Sequence, residues 1–116
     1  MKHFNDSEFS CPCCGKVDMN YDLVVRLDNA REIANTPFHI NSGYRCEKHN
    51  KEVCGKETSS HLTGEAVDIH TKDNQKRFAV LRGLILAGFE RIGIGRTFIH
   101  ADTDEEKPKG IVWLYD

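Results

Sequence analysis

Two short apolar runs, residues 91–94 and 98–101, are separated by little more than Gly95 and Arg96. A crossover to a parallel neighbour needs a dozen or more residues, so these runs must pair antiparallel through a tight turn. That turn constrains the fold more than any other feature. It disfavours a doubly wound α/β sheet and predicts an α+β chain, with a small central antiparallel sheet and helices packed on it. Further strands are expected at 38–44, with Ile40, Ser42 and Tyr44 sharing a face, at 65–70, and at 111–115, which would close the sheet. Leu23, Val24, Leu27, Ala30, Ile33 and Ala34 recur at helical spacing behind Asn20, an N-cap type, and predict a helix over 21–34. A short helix is expected at 47–53 after Pro37 and the first strand. A longer one fits 74–87, capped by Asp73 or Asn74, with Phe78, Leu81, Leu84 and Ile85 as its apolar stripe and Gly88 as its stop. Residues 55–60 and 103–110 read as polar loops.

Strand alternation then assigns faces. In 65–70, Val67 and Ile69 oppose Ala66, Asp68 and His70; in 98–102, Ile99 and Ala101 oppose Phe98, His100 and Asp102. Asp68 and His100 therefore project away from the core. With His61, just upstream of Gly64, they form a two-histidine, one-carboxylate set. Such a set holds a catalytic zinc ion and leaves a further coordination position for water. His70 shares the Asp68 face and is a possible site-lining residue.

With 116 residues the chain is long enough for one core and one site, and a single domain over 1–116 is expected. The formal net charge of −2, with both signs interspersed, excludes the basic stripe of a nucleic-acid binder. No run of about 18 apolar residues is present, so no membrane span is expected. The opening residues carry no apolar run behind a basic start. Cytoplasmic synthesis without a signal peptide, as a monomer, is the expectation. The five cysteines include Cys11, Cys13 and Cys14, and Cys11-x-x-Cys14 has zinc-knuckle spacing. No second pair lies nearby, and Cys46 or Cys54 could complete such a site only through the fold. Free thiols, a structural metal and disulfides all stay open.

Ser59-x-His61-x-x-Gly64-x-Ala66-x-Asp68, Ser42-Gly43-Tyr44-Arg45, His49-Asn50 and His100-x-Asp102 occur in that overall domain, which opens on His3-Phe4 and Glu8-Phe9-x-Cys11. Together they resemble peptidase family M15, the zinc D-alanyl-D-alanine carboxypeptidases and peptidoglycan endopeptidases whose fold the Hedgehog signalling domain shares. The resemblance implies that His61, Asp68 and His100 bind Zn2+. It implies that Arg45 contacts a substrate carboxylate or the developing oxyanion, and that Ser59 orients substrate or caps the ligand loop. The implied substrate is a peptidoglycan stem peptide. The implied context is an endolysin-like phage enzyme that reaches the wall through a holin or a virion.

Many members of that family carry an acid three residues before the last histidine ligand, where this chain has Thr97. Threonine cannot take a proton from water near neutral pH. Asp102, on the His100 face and about 7 Å along the strand, is the first candidate for the base. Orientation of His100 is its other possible role. Glu65 alternates to the opposite face, and Asp104 and Glu105 sit in a charged loop. A rival reading is a zinc-bearing binding module on the same fold that has lost catalysis.

Overall fold

The computed structural model describes residues 3–115. Helix α1 spans Tyr21–Ala34, α2 Glu47–Glu52 and α3 Asn74–Leu86. The strands are β1 Ile40–Ser42, β2 Ala66–His70, β3 Arg91–Ile94, β4 Phe98–Asp102 and β5 Ile111–Leu114. They form one sheet in the order β1-β2-β4-β3-β5. The expected caps are in place. The Asn20 side chain accepts from Leu23 N, Asp73 accepts from Lys76 N, and Gly88 follows α3 at φ 95°.

One face of the sheet builds the core. Val67, Ile69, Ile92, Ile99 and Ala101 pack with Leu23, Val24, Leu27 and Ala30 of α1, with Val80 and Leu84 of α3, and with Phe4, Phe9, Phe38 and Phe89. Burial of each large apolar side chain contributes about 1.5–3 kcal/mol. The residues expected to alternate inward from β2 and β4 are therefore those that hold the two layers together, which leaves Asp68 and His100 on the opposite face.

Three expectations need correction. Of the expected α3 stripe, Leu84 is buried and Leu81 packs on the core, but Phe78 is 68% exposed and Ile85 52%, and Val80 and Gly83 are buried in their place. The reason is Gly83. A Cβ there would lie 2.4 Å from the Ala30 carbonyl, so α3 meets α1 through backbone contact and must turn its glycine inward. The sheet is mixed rather than wholly antiparallel, because β5 runs parallel to β3. Residues 103–110 step over the start of β3 instead of turning back beside β4, so β5 joins the far edge. Finally, β1 is shorter than expected. A register irregularity between Ile40 and Ser42 ends it early and pairs Ser42 with Asp68.

Candidate metal centre and active-site groove

Register builds the site. Ser42 pairs with Asp68, Asp68 with His100, His100 with Gly93 and Gly93 with Trp113, so these residues form a row across all five strands. His61 comes from outside the sheet, on a 3-10 turn over Ser60–Thr63. The Ser59 hydroxyl caps that turn by accepting from His61 N at 3.2 Å. Ser59 is thus placed as a cap of the ligand turn. Gly64 ends the turn at φ 71°, where a Cβ would sit 1.9 Å from the Asp18 carbonyl, so no other residue fits.

His61, Asp68 and His100 each offer a ligand atom within 4.8 Å of the others. His61 Nε2 lies 3.4 Å from Asp68 Oδ1, and His100 Nδ1 lies 2.9 Å from the same oxygen. The remaining ring nitrogens face acceptors. His61 Nδ1 donates to the Gly43 carbonyl at 2.7 Å, and His100 Nε2 donates to Asp102 Oδ2 at 2.7 Å. With those protons placed, His61 Nε2 and His100 Nδ1 both direct lone pairs toward an ionised carboxylate, an arrangement that needs a positive charge among the three. In the metal-free protein a proton supplies it: burial works against a charged His100, but hydrogen bonds to Asp102 and Asp68 outweigh burial and raise its pKa. Burial likewise opposes ionisation of Asp68, and its hydrogen bonds to His100 and His61 hold it well below the usual carboxylate range. Two neutral imidazoles and a carboxylate, each nearly buried and oriented from behind, are a donor set that fits a divalent metal ion.

Asp102 sits behind His100 rather than in front of it. It is 2% exposed, and its second oxygen accepts from Arg91 Nε at 2.6 Å and from Asp104 N at 3.2 Å. Burial works to raise its pKa, but the His100 and Arg91 contacts outweigh burial and hold it below the usual carboxylate value. Arg45 reaches the opposite side of Asp68, with Nη2 3.5 Å from Oδ2. Its guanidinium is held by Ser42 Oγ at 3.1 Å and Asn50 Oδ1 at 3.2 Å, so three of the sequence motifs meet around one side chain.

The other candidates lie elsewhere. Glu65 accepts from the Thr63 hydroxyl at 2.6 Å, Asp104 accepts from the Ser60 hydroxyl at 2.8 Å, and Thr97 is exposed. His70 meets His39 edge-on and is not among the converging ligands.

Several site residues were given no role from sequence. Gly43 supplies the acceptor for His61, and a Cβ there would stand 2.8 Å from Phe9 Cα. Gly93 leaves room for Trp113 and Tyr115 to lean over it, and Trp113 comes to 5.5 Å from the His100 ring. Arg91 pairs with Asp102 and stacks on Trp113 at 5.1 Å. A charged residue opening an otherwise apolar strand was the available signal. The three converging ligands open into a groove of about 640 Å3, lined by basic Arg45, Lys56, Arg91 and Lys107 and by aromatic Phe98, Trp113 and Tyr115. Asp68 and Asp102 are the acidic residues of its lining. A second concavity of about 650 Å3 borders Glu65, Glu90 and the 103–106 loop and includes none of the three converging ligands.

No helix among the described residues is long and apolar enough to cross a membrane. No curated protein matches the sequence. A family model described as Peptidase M15 matches residues 2–102, a span that includes the 3-10 turn, β2 and β4 with all three converging ligands. The chain is a member of the peptidase M15 family, and hence of a peptidase lineage.

Proposed function

We propose that this chain is a zinc-dependent metallopeptidase that hydrolyses peptidoglycan stem peptides, as a D,D-carboxypeptidase or an endopeptidase of the endolysin type. One observation carries the reading: His61 Nε2, His100 Nδ1 and Asp68 converge while Gly43 and Asp102 hold the other ring nitrogens. Zinc bound there would polarise a scissile carbonyl and make water acidic enough to react near neutral pH. Arg45, already held by Ser42 and Asn50, is oriented to bind a substrate carboxylate or the carbonyl oxygen as it gains charge. The basic groove suits stem peptides, which carry free carboxylates, and its aromatic wall excludes water from one side. Of the two roles the sequence allows Asp102, its contacts support orientation of His100, since both oxygens are engaged.

A second reading has its own support. With Asp68 and Asp102 committed and Thr97 exposed, the groove lining presents no free carboxylate to shuttle a proton. That favours a zinc-bearing module that binds wall peptide without cleaving it.

Incubation of the zinc-loaded chain with defined muropeptides, followed by mass analysis of products, separates the two. Hydrolysis predicts release of D-alanine or a cross-bridge fragment that stops with chelator, returns with zinc and is absent in His61→Ala. A folded, zinc-loaded chain that binds muropeptide and releases nothing would establish the binding module instead.

A further inference from the structure

The cysteines left open by the sequence come together in the fold. Cys11, Cys13 and Cys14 lie on the loop before α1, and Cys46 lies at the start of α2; their sulfurs all fall within 4.8 Å of one another. The sulfur–sulfur separations are 3.7 Å for Cys11–Cys13, 3.6 Å for Cys11–Cys46 and 3.2 Å for Cys13–Cys46. A disulfide needs about 2.05 Å, so these are thiols in contact and not bonded pairs. Four sulfurs about 2.3 Å from one zinc ion at tetrahedral corners stand about 3.8 Å apart, close to the longer two separations.

The loop has the features of a metal-binding turn. Gly15 N donates to the Cys11 carbonyl at 2.8 Å, Cys11 N donates to the Lys16 carbonyl at 2.8 Å, and Gly15 takes φ 74°, a conformation suited to glycine. The chain thus folds back within one tight turn and presents its three sulfurs to one side. Backbone N–H groups of Cys46, Cys13 and Cys14 point at Cys11 Sγ. His49 N donates to Cys46 Sγ at 3.4 Å. Cys54, exposed at φ 59°, is outside the cluster.

We propose that Cys11, Cys13, Cys14 and Cys46 form a second metal site, a four-thiolate structural zinc centre separate from the groove. Four soft donors with no position left for water bind zinc without supplying catalysis. Its place in the fold gives it a task. Tyr44 N donates to the Phe9 carbonyl at 2.9 Å, and Cys46 directly follows Arg45, so an ion tying the loop to Cys46 pins both ends of the segment that carries Gly43 and Arg45. The proposed centre would hold in place the acceptor for His61 and the guanidinium beside Asp68.

The test uses the full chain purified under reducing conditions and loaded with zinc. Metal analysis should give two zinc equivalents in the wild type and one in His61→Ala. Cobalt in place of zinc in His61→Ala should give thiolate-to-metal charge-transfer bands and the intense visible bands of a tetrahedral site. A thiol reagent should modify Cys54 promptly and the other four cysteines only after chelator is added. Because His61→Ala removes the groove site, this result is independent of whether the groove is catalytic. Zinc-free His61→Ala, or equal reactivity of all five thiols in zinc-loaded wild type, would overturn the proposal. Neither readout requires a cysteine variant to fold.

Discussion

Replacing Asp102 with asparagine alters one terminal atom and, by the geometry of the site, should reverse the protonation of His100. In the native chain Asp102 can only accept, so His100 Nε2 keeps its proton and Nδ1 is the nitrogen left to the metal once zinc displaces the proton it shares with Asp68. Asparagine has one oxygen, and buried Arg91, whose Nε lies 2.6 Å from the Oδ1 position, claims it. The amide NH2 then faces His100 Nε2, which must accept, and the ring proton moves to Nδ1, 2.9 Å from Asp68. The metal-free fold tolerates this because each polar group keeps a partner, although one charged hydrogen bond is weakened, at a cost of about 1–3 kcal/mol. Zinc does not tolerate it, since the nitrogen it needs is protonated. Loss of such a supporting contact weakens metal binding about 10- to 100-fold, or about 1.4–2.8 kcal/mol. At zinc about 100-fold above the wild-type Kd, binding stabilises the fold by about 2.7 kcal/mol; a 100-fold weaker variant keeps only about 0.4 kcal/mol. For a domain of this size that is a lost increment of roughly 10 °C in the zinc-dependent rise of Tm. Thermal unfolding with and without zinc reads it directly, and His61→Ala serves as the baseline so that zinc held elsewhere cancels. An Asp102→Asn chain with the full wild-type zinc increment would refute the reasoning about His100.

Other outcomes follow from the same contacts. Gly64→Ala should destabilise the chain by about 3 kcal/mol or more, because a Cβ would strike the Asp18 carbonyl at a left-handed φ; chemical denaturation measures it. Arg45→Gln should lower kcat/KM on muropeptides by about 100-fold while zinc content stays at the wild-type value; a proportionate loss of zinc would mean that Arg45 supports the ligands instead. Metal-free stability should pass through a maximum. The depressed Asp68 and Asp102 contribute above the ordinary carboxylate value of 3.8 and lose that contribution as pH falls through their folded values. The raised His100 contributes below 6.5 and loses its contribution as pH rises through its folded value. Zinc replaces that His100 proton, so apparent zinc affinity should climb with pH by up to about tenfold per unit until His100 is deprotonated; calorimetric titration at several pH values tests it.

Much of this architecture was legible in the sequence because it depends on local periodicity. The alternation around Asp68 and His100 assigned their face correctly, and Asn20, Asp73 and Gly88 bounded their helices where expected. What could not be read depends on contacts between distant backbones. The inward face of α3 is decided by Gly83 against Ala30, which no hydrophobic pattern reveals. The parallel placement of β5 depends on where residues 103–110 cross the sheet, not on any residue within the strand. Spacing suggested a knuckle at Cys11 and Cys14, but the approach of Cys46 is a product of the fold. Asp102 was legible as a partner of His100 by its two-residue spacing. Its burial against Arg91 was not, and that burial is what supports the orienting role over that of a base.

The most direct test of the metal centre is an anomalous difference map from zinc-loaded crystals, recorded above and below the zinc edge. The account predicts a peak enclosed by His61 Nε2, His100 Nδ1 and the Asp68 carboxylate, with His61 Nδ1 still on the Gly43 carbonyl and His100 Nε2 still on Asp102. A fully zinc-loaded chain with no peak among those three residues would contradict it.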